Sequence, residues 1–246
     1  KMNKLKISRG ATTLVDLTEE AIINYIKGAN LKPGENFPFD ENQLSTKLHV
    51  SRNVVREALS RLQSFGIIES RKRNGIIMRE PSLKDNLTRI IDPKFIGKEK
   101  IIDLLELRYI LEIGIIPTLF ENIKDEDIND LHNILPPKIP KNAYVMLSTE
   151  NEIEFHSRIY KISENQVIND LQEILIPIYR FTHDNQSEFD PYNKKIKNEN
   201  LFASHSDILD AIEKRDQQYY EDVIKRHLMA YYLYIKEQRK IKNTTI

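Results

Sequence analysis

One stretch limits what this chain can fold into more than any other: Val50-Ser51-Arg52-Asn53-Val54-Val55-Arg56-Glu57-Ala58-Leu59-Ser60-Arg61-Leu62. It carries a helix start signal and two faces. Ser51 is an N-cap residue whose hydroxyl can accept from an orphan amide at the helix start. Val55, Ala58, Leu59 and Leu62 recur at helical spacing and form an apolar stripe. Arg52 and Arg56 are four apart, so they share a face away from the centre of that stripe. Arginine can grip guanine O6 and N7 with two bonds, or hold a phosphate. A solvated helix face is the alternative for an isolated Arg-x-x-x-Arg, and here the neighbours weigh against it.

Upstream, Asp40–Leu48 reads as a short helix, and His49-Val50 make a tight turn into the arginine helix. Two helices joined by a turn of about 3–4 residues form a helix-turn-helix. Downstream, Gly66 is placed as a helix stop. Ile67-Ile68 and Ile76-Ile77-Met78 read as short strands, and Asn74-Gly75 is a hairpin signal. The hairpin tip carries Arg71, Lys72 and Arg73, which suits a wing over phosphates or a minor groove. With a first helix over 13–28, the N-terminal part is expected to be a winged helix-turn-helix.

Charge supports that division. The chain has no net charge, yet residues 1–80 hold 14 Lys and Arg against 9 Asp and Glu, a balance of +5 that the remainder offsets. The electrostatic footprint for nucleic acid is therefore N-terminal. A length of 246 residues suits two domains. The absence of cysteine excludes disulfides, thiol nucleophiles and zinc ribbons. No apolar run reaches about 18 residues and no signal-peptide pattern is visible. The expected location is the cytoplasm, with no membrane partner.

Expected boundaries are a DNA-binding domain over 1–79, a linker with a short helix over 80–98, and an all-α domain over 99–246. The last should hold helices at 99–120, 125–135, 141–162, 165–182 (kinked at Pro177), 195–214 and 216–240, with Asp190-Pro191 in a loop. Six or seven helices on one core make an antiparallel bundle. The fold class is thus mainly α.

Three histidines of this second part share a property. His156 lies with Ile153 and Ile159, His205 with Ile208, Leu209 and Ile212, and His227 with Val223, Ile224 and Tyr231. Each points inward on its own helix. A buried polar ring without a partner costs free energy, so three such rings ask for a common cause. Glu152 precedes His156 by one turn and shares its face. One carboxylate and three imidazoles suit a divalent transition metal. Any one of these histidines alone could be a satisfied core residue. Arg108 shares a phase with Leu104, Leu105 and Leu111; it either clamps an effector carboxylate or pairs with Glu112 or another buried acid. His132 and His183 are left as structural or surface residues.

Lys32-Pro33-Gly34-Glu35, Pro38, Leu44-Ser45, Val50-Ser51-Arg52, Val55-Arg56-Glu57-Ala58-Leu59, Leu62, Gly66-Ile67-Ile68 and Gly75 resemble the GntR family of bacterial transcription regulators. The resemblance implies that Arg52 and Arg56 contact operator DNA, with Ser51 and Asn53 beside them, and that the wing around Asn74 and Gly75 reaches the minor groove. It departs at Pro38–Leu44, one residue longer, with Asn42 where the family often has a DNA-contacting arginine. Glu152–His156, His205 with Ile208–Ile212, His227, and Asp103–Arg108 with Glu112 resemble the FCD domain of the FadR subfamily. That resemblance implies a zinc or nickel ion on Glu152, His156, His205 and His227, with a small organic-acid or sugar-acid effector on or beside it. Glu152 stands where aspartate is usual and is one methylene longer. The expected function is an operator-binding regulator, in repressor mode and homodimeric, not an enzyme. A metal-free effector pocket is the alternative, and a metalloenzyme fused to a DNA-binding module the remoter one.

Overall fold

The computed structural model describes residues 13–71, 75–88, 91, 95–136 and 147–244. The chain divides into two compact units, Lys1–Ser82 and Leu83–Ile246.

The first unit runs α1 (Leu14–Gly28), α2 (Glu41–Leu48), α3 (Arg52–Ser64), β1 (Ile68–Arg71) and β2 (Gly75–Met78). Each helix begins on a side-chain cap. Thr13 with Asp16 and Asp40 with Gln43 form reciprocal capping boxes, and Ser51 accepts from Val54 N at 3.4 Å. α2 ends at His49, whose φ of +54° is left-handed. The Ser45 hydroxyl closes this turn on Val50 O at 2.6 Å. Gly66 (φ +71°) follows α3, where its freedom to adopt positive φ is needed. β1 and β2 pair antiparallel with Ile68 opposite Met78 and Arg71 opposite Gly75. The chain before α2 lies along β2, with Phe37 N donating to Ile76 O at 2.7 Å. The predicted stripe of α3 is its buried face: Val55, Ala58, Leu59 and Leu62 pack with Ile22, Phe37 and Leu44. This is a winged helix-turn-helix.

The second unit is all-helical among its described residues: α4 (Leu83–Leu87), α5 (Lys98–Gly114), α6 (Ile116–Asn122), α7 (Asp125–Ile134), α8 (Thr149–Ile162), α9 (Gln166–Asp184), α10 (Gln186–Asn198), α11 (His205–Glu213), α12 (Gln217–His227) and α13 (Met229–Thr244). The bundle is more finely divided than its periodicity suggests. The helix expected over 99–120 breaks at Ile115, ahead of Pro117, which has no N–H to offer the preceding turn. The helix expected over 195–214 is two. Asn200 turns left-handed (φ +54°), Leu201 N returns to Ile196 O at 2.8 Å, and Ser204 caps a new helix with Asp207. The helix expected over 216–240 is also two, divided at the buried Leu228. Asp190-Pro191 is not in a loop but inside α10, where burial of Phe189 and Ile196 outweighs the amide that Pro191 lacks. The α8 start expected near 141 falls partly outside the described residues; the described helix begins at its Ser148 cap. Pro177 lies inside α9.

Leu62 is fully buried in the first unit's core. Leu62→Ala is expected to lower the unfolding free energy of that unit by about 2–5 kcal/mol, measured by urea denaturation followed by circular dichroism. A loss under about 1 kcal/mol would mean that the stripe of α3 is not what holds the unit together.

Candidate functional site

The first unit presents the arginine face. Arg52 and Asn53 are exposed at the start of α3. Arg56 is 62% exposed and is held from α2, its Nη2 donating to Glu41 Oε2 at 3.0 Å. Ser51 spends its hydroxyl on the cap. Asn42 is exposed in the first turn of α2. Arg71 donates through Nε to Glu69 Oε1 at 2.7 Å, which folds its side chain back along β1. Gly75 opens β2 with φ +72°. Lys72, Arg73 and Asn74 lie outside the described residues.

In the second unit, four residues from three helices converge. Glu152 and His156 stand one turn apart on α8. His205 is the first residue of α11, placed by the Ser204 cap, and His227 is the last of α12. Each offers one ligand atom, and these atoms all lie within 4.8 Å of one another. The ring centroids of His205 and His227 are 4.4 Å apart, and that of His156 is 5.4 and 5.6 Å from them. Donors around a tetrahedral zinc stand roughly 3.3 Å apart, so a modest contraction would close the set on an ion.

The surroundings fit a cation too. His205 Nε2 is 2.9 Å from Glu152 Oε2, yet it is buried and makes no hydrogen bond, because the carboxylate lies off the line of a ring N–H. His227 Nδ1 donates to Ala203 O at 3.1 Å, which leaves Nε2 as the lone-pair nitrogen. Burial, followed by the neighbouring His205 and His156 rings, pulls the His227 pKa down to about 3, so its lone pair is available.

Behind the four donors sits a fully buried ion pair. Arg108 Nε donates to Glu112 Oε1 at 2.7 Å, and the guanidinium stacks 3.8 Å over the Tyr179 ring. Nη2 donates to Glu152 Oε1 at 3.2 Å. Glu112 Oε1 also accepts from Tyr179 Oη at 3.3 Å, and Oε2 is 2.8 Å from His156 Nδ1. Burial alone would raise the Glu112 pKa; the neighbouring His156 and Arg108 overcome it and hold the carboxyl at about 2. Glu152 is likewise held well below its ordinary value, by His205 first, against its own burial. Burial disfavours the charged form of His156, while Glu112 pulls its pKa upward.

Of the two readings left open for Arg108, the pairing with Glu112 is therefore present. A cavity of about 110 Å³ adjoins the donors. Glu152, His205 and His227 form one wall; Tyr179, Thr182, His183 and Asn193 supply further polar lining, and Phe189 and Ile196 apolar lining. His183, set aside on sequence grounds, thus lines the cavity. It follows Tyr179 by one turn of α9, a spacing that could have linked them had the role of Tyr179 been visible. His132 pairs on the surface with Glu213.

Two family profiles match the chain. The one described as "Bacterial regulatory proteins, gntR family" covers residues 14–78, and that of the FCD domain covers residues 103–230. The chain belongs to the GntR family of regulators that carry an FCD domain. It is similar to the HTH-type transcriptional regulator LutR of Bacillus subtilis, 26% identical over 82% of this chain and 92% of the relative. The uncharacterized HTH-type transcriptional regulator YcbG of the same organism is 28% identical over 83% and 82%. The Uxu operon regulator of Haemophilus influenzae is 28% identical over 79% and 71%. This GntR protein is a DNA-binding transcription regulator whose second unit is of an effector-binding type. No helix among its described residues is long and apolar enough to cross a membrane.

Glu112 is the main partner of a buried guanidinium. Glu112→Leu is expected to cost about 3–5 kcal/mol, and adding Arg108→Met should recover most of that loss, because the guanidinium left without its main partner is then gone and Glu152 keeps His156 and His205 beside it. Urea unfolding of the single and double variants measures both. A near-neutral Glu112→Leu would mean that the guanidinium does not depend on this pair.

Proposed function

We propose that this regulator is a homodimeric repressor whose operator binding responds to a small organic-acid or sugar-acid effector. The effector is held beside a divalent transition metal, zinc or nickel, on Glu152, His156, His205 and His227. The observation that carries this reading is the convergence of these four donors within 4.8 Å of one another, three of them (Glu152, His205 and His227) on the wall of a cavity of about 110 Å³. When bound, the metal supplies a positive charge that draws a carboxylate into a site otherwise lined by carboxylate and imidazole groups. Glu152 and the three histidines hold the ion. Tyr179, Thr182 and Asn193 offer hydrogen-bonding groups to the rest of a hydroxylated acid. The lining suits a ligand of few atoms. No catalytic role is assigned to the metal.

On the DNA side, Arg52 and Arg56 read or grip the operator in the major groove, with Ser51, Asn53 and Asn42 beside them. Arg71, Lys72, Arg73, Asn74 and Gly75 form the wing contacts. Two copies would present two such modules to a pseudo-palindrome. The effector acts only in so far as it binds one arrangement of the dimer better than the other.

Two measurements test the two halves. Elemental analysis by plasma mass spectrometry is expected to find about one zinc or nickel per chain, lost in His205→Ala with His227→Ala; no metal after reconstitution would retire the four-donor site. DNA selected from a random pool by the wild-type protein is expected to lose at least about 100-fold in affinity with Arg52→Ala and Arg56→Ala combined, at unchanged circular dichroism. Undiminished binding by that folded variant would sink the assignment of the arginine face.

A further inference from the structure

A metal needs lone pairs, and one of those at this site is already engaged. Arg108 Nη2 stands 3.2 Å from His156 Nε2. A guanidinium has five N–H donors and no lone pair, so Nε2 is the acceptor in that contact. The same Nη2 donates to Glu152 Oε1 at 3.2 Å, and this oxygen is 3.4 Å from Nε2. One nitrogen of Arg108 therefore occupies the corner shared by two of the four candidate ligands. The group is well fixed there: the guanidinium is fully buried, tethered through Nε to Glu112 and stacked on Tyr179. Its Nη1 is buried with no partner.

We propose that Arg108 is the resident cation of this centre and competes with the divalent metal for His156 Nε2 and Glu152 Oε1. The inference rests on the reading of Glu152, His156, His205 and His227 as a metal site. In the metal-free protein the guanidinium balances Glu152 and keeps the His156 ring aimed inward. A metal must displace Nη2 from both acceptors to take all four donors. Arg108 thereby sets the metal affinity below what the bare ligand set would give, which suits an ion that exchanges over one permanently locked in.

The test is zinc affinity, measured on the full chain by competition with a chromophoric chelator. Arg108→Gln is one variant. The second, Arg108→Met with Glu112→Gln, removes both members of the buried pair, keeps an oxygen beside His156 Nδ1 and leaves Glu152 beside His156 and His205, so it stays informative if the first fails to fold. Glu112→Gln alone, with Arg108 retained, is the reference. At least about tenfold tighter zinc binding (about 1.4 kcal/mol) is expected in the variants lacking Arg108 and not in the reference. Zinc bound by the double variant but not by wild type would support competition most strongly. Equal affinity in wild type and the Arg108 variants, or weaker binding in the variants, would overturn the inference while leaving the metal site standing. Zinc bound by none of them would overturn the metal reading and this inference with it.

Discussion

Burial of charge organises the second unit. Arg108 and Glu112 are 1% and 2% exposed, and His156 is fully enclosed beside them. An ion in a low-dielectric interior is tolerated only when paired and hydrogen-bonded. Here every member has at least two neighbours to answer to. Arg108 serves both Glu112 and Glu152, Glu112 serves Arg108, Tyr179 and His156, and Glu152 is shared between His156 and His205. The groups come from α5, α8, α9 and α11. The charge set therefore dictates how closely those helices sit, and apolar side chains such as Phe155 and Ile178 fill the space that remains. Exposed ion pairs elsewhere, such as Arg239 with Asp103 and Glu106, work in high dielectric and contribute much less.

The first unit solves the opposite problem. Its function needs charge in solvent, so its core is apolar and its cations stand outside it. α3 separates the two by periodicity: Val55, Ala58, Leu59 and Leu62 turn inward, and Arg52 and Arg56 turn outward. Solvated arginines are floppy, and Glu41 restrains Arg56 from the neighbouring helix. A restrained side chain loses less entropy on meeting DNA. The acidic partner is exposed and its attraction is screened, so a phosphate or a base edge can take its place at modest cost.

Much of this was legible from the residues, and the reasons differ. The winged module announces itself through local signals: a cap at Ser51, a helix stop at Gly66, a basic hairpin. Local signals survive folding unchanged. The inward histidines were legible because a polar residue in an apolar stripe is an anomaly that periodicity exposes. Helix ends in the second unit were not. The break at Asn200 depends on one left-handed residue and a returning bond to Ile196, and Pro191 stays helical because Phe189 and Ile196 are buried there. Tertiary packing decides such points. The partnership of Arg108 was open for a related reason: helical phase says that a side chain points inward but not which acid waits across the core. Tyr179 and His183 were missed because their helix reads as an ordinary amphipathic one.

The way the donors are mounted limits what a ligand there can move. Glu152 and His156 sit within α8, in contact with the buried Arg108 and, for His156, Glu112. His205 and His227 sit at helix ends, and they are linked: His227 Nδ1 donates to Ala203 O, two residues before His205. Anything that draws the four donors together from separations of up to 4.8 Å must therefore pull mainly on the start of α11 and the end of α12. The latter is followed at once by Leu228 and by α13. Contraction at the centre would thus be delivered to the α12–α13 junction, while Glu112, beside His156 Nδ1, would still tie α5 to α8. A ligand can bias the regulator only through a difference between two arrangements, and this mounting would put that difference in α13, the helix that follows the last histidine.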